Sequence, residues 1–275
     1  MVKRIKDNQL GWASERGIAI DESGYTRKRS QNLFVPLSNA SLAEFDGADG
    51  GELGTDGKRG KIQALHSSSA LAVNAFEFWR ERDKSALASA MGLSSAVQLL
   101  NFEKKFKTGL PGNAPNLDVV LTLSDQSIVA IESKFLEPFG KHASGFKEKY
   151  FEDGKGRWSA YGYSACQRLA EDIQSGRRIF HSLHPEQLLK HILGLSNSLN
   201  QGAHKTPWQL IYLCYDPGAE GVSHMEEAME FAAVAQSDGI NFHVLTYQTL
   251  VAAIRKKSDA SHIGYLEYFE KRYFA

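Results

Sequence analysis

The sequence has few cysteines, no excess of charge and no long apolar run. Cys166 and Cys214 stand alone among 275 residues, in apolar segments without cysteine or histidine at ligand spacing. This excludes a disulfide framework and predicts reduced, buried thiols in a cytoplasmic protein. Basic and acidic residues number 32 each, so any contact with nucleic acid must come from local basic patches. The longest strongly apolar run, 210–215, is too short to span a bilayer, so we expect no membrane partner.

Hydrophobic periodicity is also scarce in the first sixty residues, which are polar and rich in glycine. A phosphate-binding loop is excluded because Glu52 stands six residues before Lys58 where that motif needs glycine, and Arg59 replaces its serine or threonine. We predict an irregular N-terminal arm over residues 1–60 and one α/β domain over residues 61–275.

The rest of the chain alternates helix-like and strand-like patterns. Residues 99–107 alternate as a strand does, although a helix from Ser94 is an alternative. Two β-rich runs around residues 124–127 predict a hairpin. Helices are predicted over 70–81, 85–91, 161–174, 185–200, 224–235, 247–257 and 262–273, and strands over 99–107, 117–123, 128–135, 208–215 and 241–246. This order predicts an α/β fold with a mixed sheet flanked by helices.

Two acids and a lysine converge on the predicted hairpin. With the turn centred on Asp125, residues pair when their numbers sum to 250, so Asp118 lies opposite Glu132. Side chains alternate along a strand, so Lys134 shares the face of Glu132. Neighbouring carboxylates repel unless a cation lies between them, and oxygen ligands suit Mg²⁺ or Mn²⁺. The pattern predicts a metal-dependent phosphodiesterase centre in which Lys134 orients water or stabilises the transition state.

A solvated strand face is the alternative interpretation, because an Asp followed by Glu-x-Lys arises often by chance. The apolar run 128–131 argues against it, since it indicates an interior strand in which Glu132 and Lys134 would be costly to bury without a role. A shift of one residue in the pairing would place the two acids on opposite faces.

The motif resembles that of a known enzyme superfamily. Pro115-Asn-Leu-Asp118 followed by Ile131-Glu-Ser-Lys134 is similar to the signature of the PD-(D/E)XK, or restriction-endonuclease-like, enzymes. The order of elements over roughly residues 65–250 resembles their αβββαβ core. The segments His66-Ser-Ser-Ser-Ala-Leu and Phe102-Glu103 resemble a bacterial group described as restriction endonucleases.

The resemblance implies that residues 61–275 form a nuclease-like domain. It implies metal ligation by Asp118, Glu132 and the backbone carbonyl of Ser133, with water positioned by Lys134 and Mg²⁺ or Mn²⁺ as the cofactor. The implied activity is endonucleolytic hydrolysis of DNA in restriction or defence. An exonuclease, a repair nuclease and a non-catalytic nucleic-acid-binding module are the alternatives. Many members cut duplexes as dimers, so a homodimer is an expectation as well.

Further site residues are also implied. Some members add an upstream acid, for which Glu103 is the candidate and Glu77 a competitor. Others place a glutamine on the helix after the motif strand, and Gln167 is the candidate, with a helix-surface role as the alternative. His191 has no ligand partner at convincing spacing, and we predict no zinc site around it.

Basic and aromatic residues interleave after the second motif strand. This pattern is typical of a nucleic-acid-facing loop. Its members are Lys141, Lys147, Lys149, Lys155 and Arg157 among Phe146, Tyr150, Phe151 and Trp158.

Overall fold

A five-stranded mixed sheet forms the centre of the structure, a computed structural model that describes residues 2–48, 51–55, 57–140, 145–200 and 205–274. The strands lie side by side in chain order: β1 Val97–Lys105, β2 Asn116–Leu123, β3 Ile128–Lys134, β4 Trp208–Cys214 and β5 Phe242–Thr246. The first three form an antiparallel meander, whereas β4 runs parallel to β3, and β5 parallel to β4. The predicted α/β fold with a mixed sheet is confirmed.

The β2–β3 hairpin has the predicted register. Val119 pairs with Ile131 and Leu121 with Val129, so each pair of numbers sums to 250. The carboxylate of Asp125 accepts hydrogen bonds from the backbone N–H and the hydroxyl of Ser127, at 3.0 and 2.6 Å. Such side-chain bonds to the next residues stabilise a tight turn and thereby set the register of the strands it joins.

The sheet separates two hydrophobic layers flanked by helices. Odd-numbered β2 and β3 residues such as Val119 and Ile131 pack in one layer, and even-numbered ones such as Val120 and Ala130 in the other. The helices are α1 Val2–Glu15, α2 Asn39–Asp46, α3 Ser68–Phe76, α4 Ser85–Ala90, α5 Ser164–Gln174, α6 Pro185–Leu199, α7 Val222–Ser237, α8 Tyr247–Arg255 and α9 Ile263–Phe269. Helices α3, α4, α8 and α9 contribute to the first layer, and α5, α6 and α7 to the second.

Most predicted elements are present with small changes at their ends. Ser67 caps α3 by accepting a hydrogen bond from Ala70 N–H at 3.2 Å, and a 3₁₀ turn over Glu77–Trp79 follows this helix. The strand interpretation of residues 99–107 is confirmed over the helical alternative, although β1 begins and ends two residues earlier. Both cysteines are buried free thiols. In the part of the chain that the structure describes, no helix is long and apolar enough to cross a membrane.

The first sixty residues are not irregular throughout, which corrects that prediction. Helix α1 buries Ile5, Gln9, Trp12 and Ala13, the spacing of one helical face. Helix α2 is capped by Ser38, whose hydroxyl accepts a hydrogen bond from the Ser41 N–H at 3.2 Å. The apolar stripe of α1 escapes sequence analysis because a glutamine interrupts it.

The Gly-rich segment after α2 contains a short two-stranded ribbon, in which Gly54–Thr55 pairs with Lys58–Arg59. Residues 49, 50 and 56 lie outside the described residues. The division of the chain at residue 60 stays a prediction.

Candidate active site

The β2–β3 hairpin brings Asp118, Glu132 and Lys134 together. Glu132 and Lys134 stand two residues apart in β3 and share a face, and the ammonium group of Lys134 donates to Oε1 of Glu132 at 2.6 Å. The backbone N–H of Ser133 donates to Oδ2 of Asp118 at 2.6 Å. Glu132 is only 1% exposed and Lys134 9%. The alternative interpretation, in which Glu132 and Lys134 lie on a solvated strand face, is therefore wrong.

The two central carboxyls have opposite pKa shifts. Burial raises the pKa of Asp118 well above its usual range; Glu132 adds to the rise, and Lys134 opposes it. Burial also works against the ionisation of Glu132, but Lys134 and His191 outweigh it and lower the pKa of Glu132 to about 2. One buried lysine therefore compensates one of the two acids. Full ionisation of both requires a further cation.

Glu103 in β1 joins this cluster. Burial raises the pKa of its carboxyl to about 7; a hydrogen bond from Asn116 opposes the rise, and the carboxylates of Glu52 and Glu132 add to it. The Asn116 amide lies 3.0 Å from the Glu103 carboxylate. The backbone of Glu103 has a φ of 51°, in the left-handed region that costs a non-glycine residue roughly 1 kcal/mol or more. Such strain is frequent at functional sites.

Glu77, the competing acid, binds elsewhere. It is buried, and its carboxylate accepts hydrogen bonds from the Ser38 N–H at 2.7 Å and the Ser41 hydroxyl at 2.6 Å. It also pairs with Arg80 at 3.2 Å. These contacts hold the beginning of α2 against the turn that follows α3.

Gln167 also has its amide bound elsewhere. Its carbonyl oxygen accepts a hydrogen bond from the Trp158 N–H at 3.1 Å, and its nitrogen donates to Glu171 at 2.8 Å. The first contact fixes the segment before α5 to that helix, and the second lies within the helix. They do not reach the acidic cluster.

Helix α6 supplies two residues that sequence analysis missed. The side-chain oxygen of Gln187 accepts a hydrogen bond from the ammonium group of Lys134 at 2.9 Å. The imidazole Nε2 of His191 lies 2.9 Å from Oε2 of Glu132, and both side chains are 1% exposed. Residues four apart share a helix face. The spacing of this polar pair, four residues apart in the predicted helix, was the available signal.

Glu52, in the segment that leads into the two-stranded ribbon, is the third missed residue. It is buried, forms an ion pair with Lys61 at 3.2 Å and raises the pKa of Glu103. Sequence analysis considered it only as a departure from a phosphate-binding loop. No local pattern relates it to β1.

The donor atoms fit a hard divalent cation. Across the described ranges, no group of three or more His, Cys, Asp or Glu side chains forms a ready metal site. Mg²⁺, however, keeps several waters and often binds only one or two carboxylates, and Asp118 and Glu132 supply two. The Lys134 carbonyl accepts from the Tyr215 N–H on the β4 side at 2.9 Å, so strand alternation directs the Ser133 carbonyl towards β2 and Asp118.

The prediction of a nucleic-acid-facing loop does not hold for three of its aromatic residues, whose side chains are buried. Phe146, Tyr150 and Trp158 are buried and pack on one another, with ring centroids 5.6 Å apart for Phe146 and Trp158 and 6.1 Å apart for Tyr150 and Trp158. Lys147 is exposed, whereas Lys141 lies outside the described residues. The aromatic side chains form part of the core instead.

Comparison with known proteins identifies a family for the chain. No curated protein and no solved structure matches the chain. A family model described as "Restriction Endonuclease associating with ARP" matches residues 22–274 and confirms the resemblance to restriction-endonuclease-like proteins. The chain therefore belongs to the family of restriction endonucleases associating with ARP.

Proposed function

We propose that the protein is a Mg²⁺- or Mn²⁺-dependent endodeoxyribonuclease of a restriction or defence system. The observation that carries the proposal is the cluster in which half-buried Asp118 and buried Glu132 lie beside buried Lys134 on one face of the hairpin. Membership of a restriction endonuclease family supports hydrolysis of DNA phosphodiester bonds. The acids and the lysine are the side chains that such chemistry requires.

Each residue of the cluster has a part in the proposal. The carboxylates of Asp118 and Glu132, with the Ser133 carbonyl, would hold the divalent ion. When bound, that ion lowers the pKa of water and neutralises charge on the scissile phosphate. Burial disfavours the charge on Lys134, but Glu132 and Asp118 outweigh it and raise its pKa. Lys134 therefore acts as a fixed ammonium donor to water or phosphate oxygen, not as a base.

The surrounding residues orient these groups. Gln187 restrains the ammonium group of Lys134 from α6, and His191 contacts the carboxylate of Glu132. Glu103, with a pKa of about 7, is matched to proton transfer near neutral pH. A non-catalytic binding module would have no use for this arrangement, because burying charged groups is costly.

The test is cleavage of supercoiled plasmid, linear duplex and single-stranded DNA with Mg²⁺, Mn²⁺ or EDTA. We expect metal-dependent cutting by the wild type and a loss of at least about 100-fold in Lys134→Ala and Glu132→Ala, because each removes transition-state stabilisation. The matched control is Lys256→Ala, which removes an exposed lysine. Circular dichroism and DNA binding show whether each variant is folded.

The substrates separate the alternatives. Cutting of the closed circular plasmid supports an endonuclease, whereas cutting of linear DNA alone would identify an exonuclease. Full activity of Lys134→Ala, or cutting in EDTA, would contradict the site. DNA binding without cleavage of any substrate would favour the non-catalytic module.

A further inference from the structure

Five lysines line a pair of adjoining cavities beside the acidic cluster. The cavities have volumes of about 490 and 570 Å³ and share Gly112 and Asn113 in the loop between β1 and β2. No acidic side chain among the described residues lines either cavity. We call this surface the lysine groove; its lysines are Lys105, Lys107, Lys147, Lys149 and Lys190.

Two of these ammonium groups are held in place by the protein. Lys149 donates a hydrogen bond to the Pro111 carbonyl, and its Nζ lies 5.4 Å from the Tyr150 ring centroid. Nζ of Lys190 lies 5.2 Å from the Phe146 ring and 5.6 Å from the Tyr150 ring. These cation–π contacts place positive charge on the edge of the buried aromatic cluster. The aromatic residues therefore position lysines instead of stacking on bases.

The lysines are close enough to repel one another. Burial lowers the pKa of Lys190, Glu186 raises it, and Lys147 and Lys149 lower it further. An anion placed among the three ammonium groups would relieve this repulsion. Phosphate oxygens, which carry charge and accept several hydrogen bonds, satisfy both needs.

Short stretches of chain connect the groove to the acidic cluster. Lys190 directly precedes His191, whose imidazole contacts Glu132. Pro115, on the wall of the groove, is three residues before Asp118, which corresponds to at most about 11 Å of extended chain. Phosphates recur about every 3.4 Å along the helix axis of one DNA strand. A strand whose scissile phosphate lies at Asp118 therefore brings its next phosphates to these lysines.

We propose that the lysine groove binds the phosphates that flank the scissile phosphate of DNA, an inference that rests on the proposed nuclease function. The chain has no net charge, so the groove supplies the local positive charge that the whole molecule lacks. Lys149 and Lys190 contact the nearest flanking phosphates. Lys107 extends the contact along the strand.

The test is the salt dependence of duplex binding by the full chain in EDTA, which prevents metal-dependent cutting. Lys149→Gln/Lys190→Gln removes two positive charges that contact phosphates. The negative slope of log K against log salt therefore becomes less steep by about 1.8, since each contact contributes about 0.9. Lys149→Arg/Lys190→Arg retains the slope because it keeps the charges. The matched control is Lys256→Gln/Lys257→Gln, which removes two exposed lysines near the end of α8.

Neutral methylphosphonate linkages locate the contact. Placed one at a time beside the cutting position, they weaken binding by the wild type and have no further effect in Lys149→Gln/Lys190→Gln. Equal slopes for the groove variant and the control pair would overturn the proposal, as would absence of wild-type binding at about 50 mM salt. Tighter, lysine-dependent binding of single-stranded RNA than of DNA would also overturn it.

The assay separates this inference from the nuclease function. Lysine-dependent DNA binding without cleavage would support the lysine groove and contradict the nuclease function. Metal-dependent cleavage, with a salt slope that does not change when Lys149 and Lys190 are substituted, would support the nuclease function and contradict the lysine groove as the phosphate-binding surface.

Discussion

Glu103 has two unfavourable features in the folded chain: a left-handed backbone and a buried carboxyl with a pKa of about 7. Because this pKa lies above the ordinary value of 4.5, the folded state keeps a proton between these two pH values that the unfolded chain has lost. Wild-type stability therefore falls as pH rises through this window. In metal-free buffer we expect Glu103→Gln to raise the free energy of unfolding by an amount that grows from pH 4.5 to 7 and levels off at about 3 kcal/mol.

Urea unfolding between pH 4.5 and 8.5 measures this gain. Glu226→Gln, at an exposed position of α7, is the control and should show no such rise. Adding Mg²⁺ should shrink the advantage of Glu103→Gln, since a bound cation stabilises the ionised acids. A difference in the free energy of unfolding between Glu103→Gln and the wild type that does not change with pH would contradict a raised pKa of the Glu103 carboxyl.

Helix α6 connects the second hydrophobic layer to the acidic cluster through Gln187 and His191. Because Gln187 restrains the ammonium group of Lys134, we expect Gln187→Ala to reduce kcat by about 10-fold, with little change in KM or stability.

Gln167→Ala instead leaves the Trp158 N–H without its acceptor. We expect it to cost about 2 kcal/mol of stability, with kcat of the folded enzyme nearly unchanged.

Steady-state cleavage and urea unfolding of both variants separate the two glutamines. The reverse pattern, with kcat lost in Gln167→Ala and retained in Gln187→Ala, would return the catalytic role to the residue that the family resemblance suggested. Gln187→Glu is a further check. Its carboxylate keeps an acceptor for Lys134 but adds charge beside Glu132.

The part of the site that could be predicted from sequence is the part that local geometry determines. A four-residue turn sets the β2–β3 register, so strand alternation alone places Asp118 across from Glu132. Gln187 and His191 reach the cluster only through packing of α6 on the sheet, and no short-range rule specifies that packing. Glu52 is more remote still, because the ribbon segment that holds it approaches β1 from a part of the chain without hydrophobic periodicity.

At the scale of the whole molecule, helix α1 meets the π-helical turn Glu270–Phe274, which follows α9, around one buried cation. Arg272 is 1% exposed, and its guanidinium donates to the Gln9 side chain at 3.1 Å and the Asn32 carbonyl at 2.7 Å. The Gln9 amide returns a hydrogen bond to the Arg272 carbonyl at 2.6 Å, and the guanidinium lies 4.3 Å from the Trp12 ring. Contacts between residues 263 positions apart explain why α1 could not be predicted: its polar core residue has its partner at the other end of the chain.

We therefore expect Arg272→Lys to destabilise the whole fold. Lysine has no planar fork to bond several acceptors at once, so buried carbonyls lose their donors at a cost of about 3 kcal/mol. For a chain of this size the melting temperature should fall by roughly 6–10 °C. Lys271→Ala, which removes an exposed ion pair with Glu267, should change it by less than about 2 °C. Calorimetry of both variants measures these melting temperatures. Equal, small shifts would mean that the rest of the fold does not depend on α1. A single cooperative transition whose melting temperature falls only in Arg272→Lys would show that α1 folds together with the nuclease-like core.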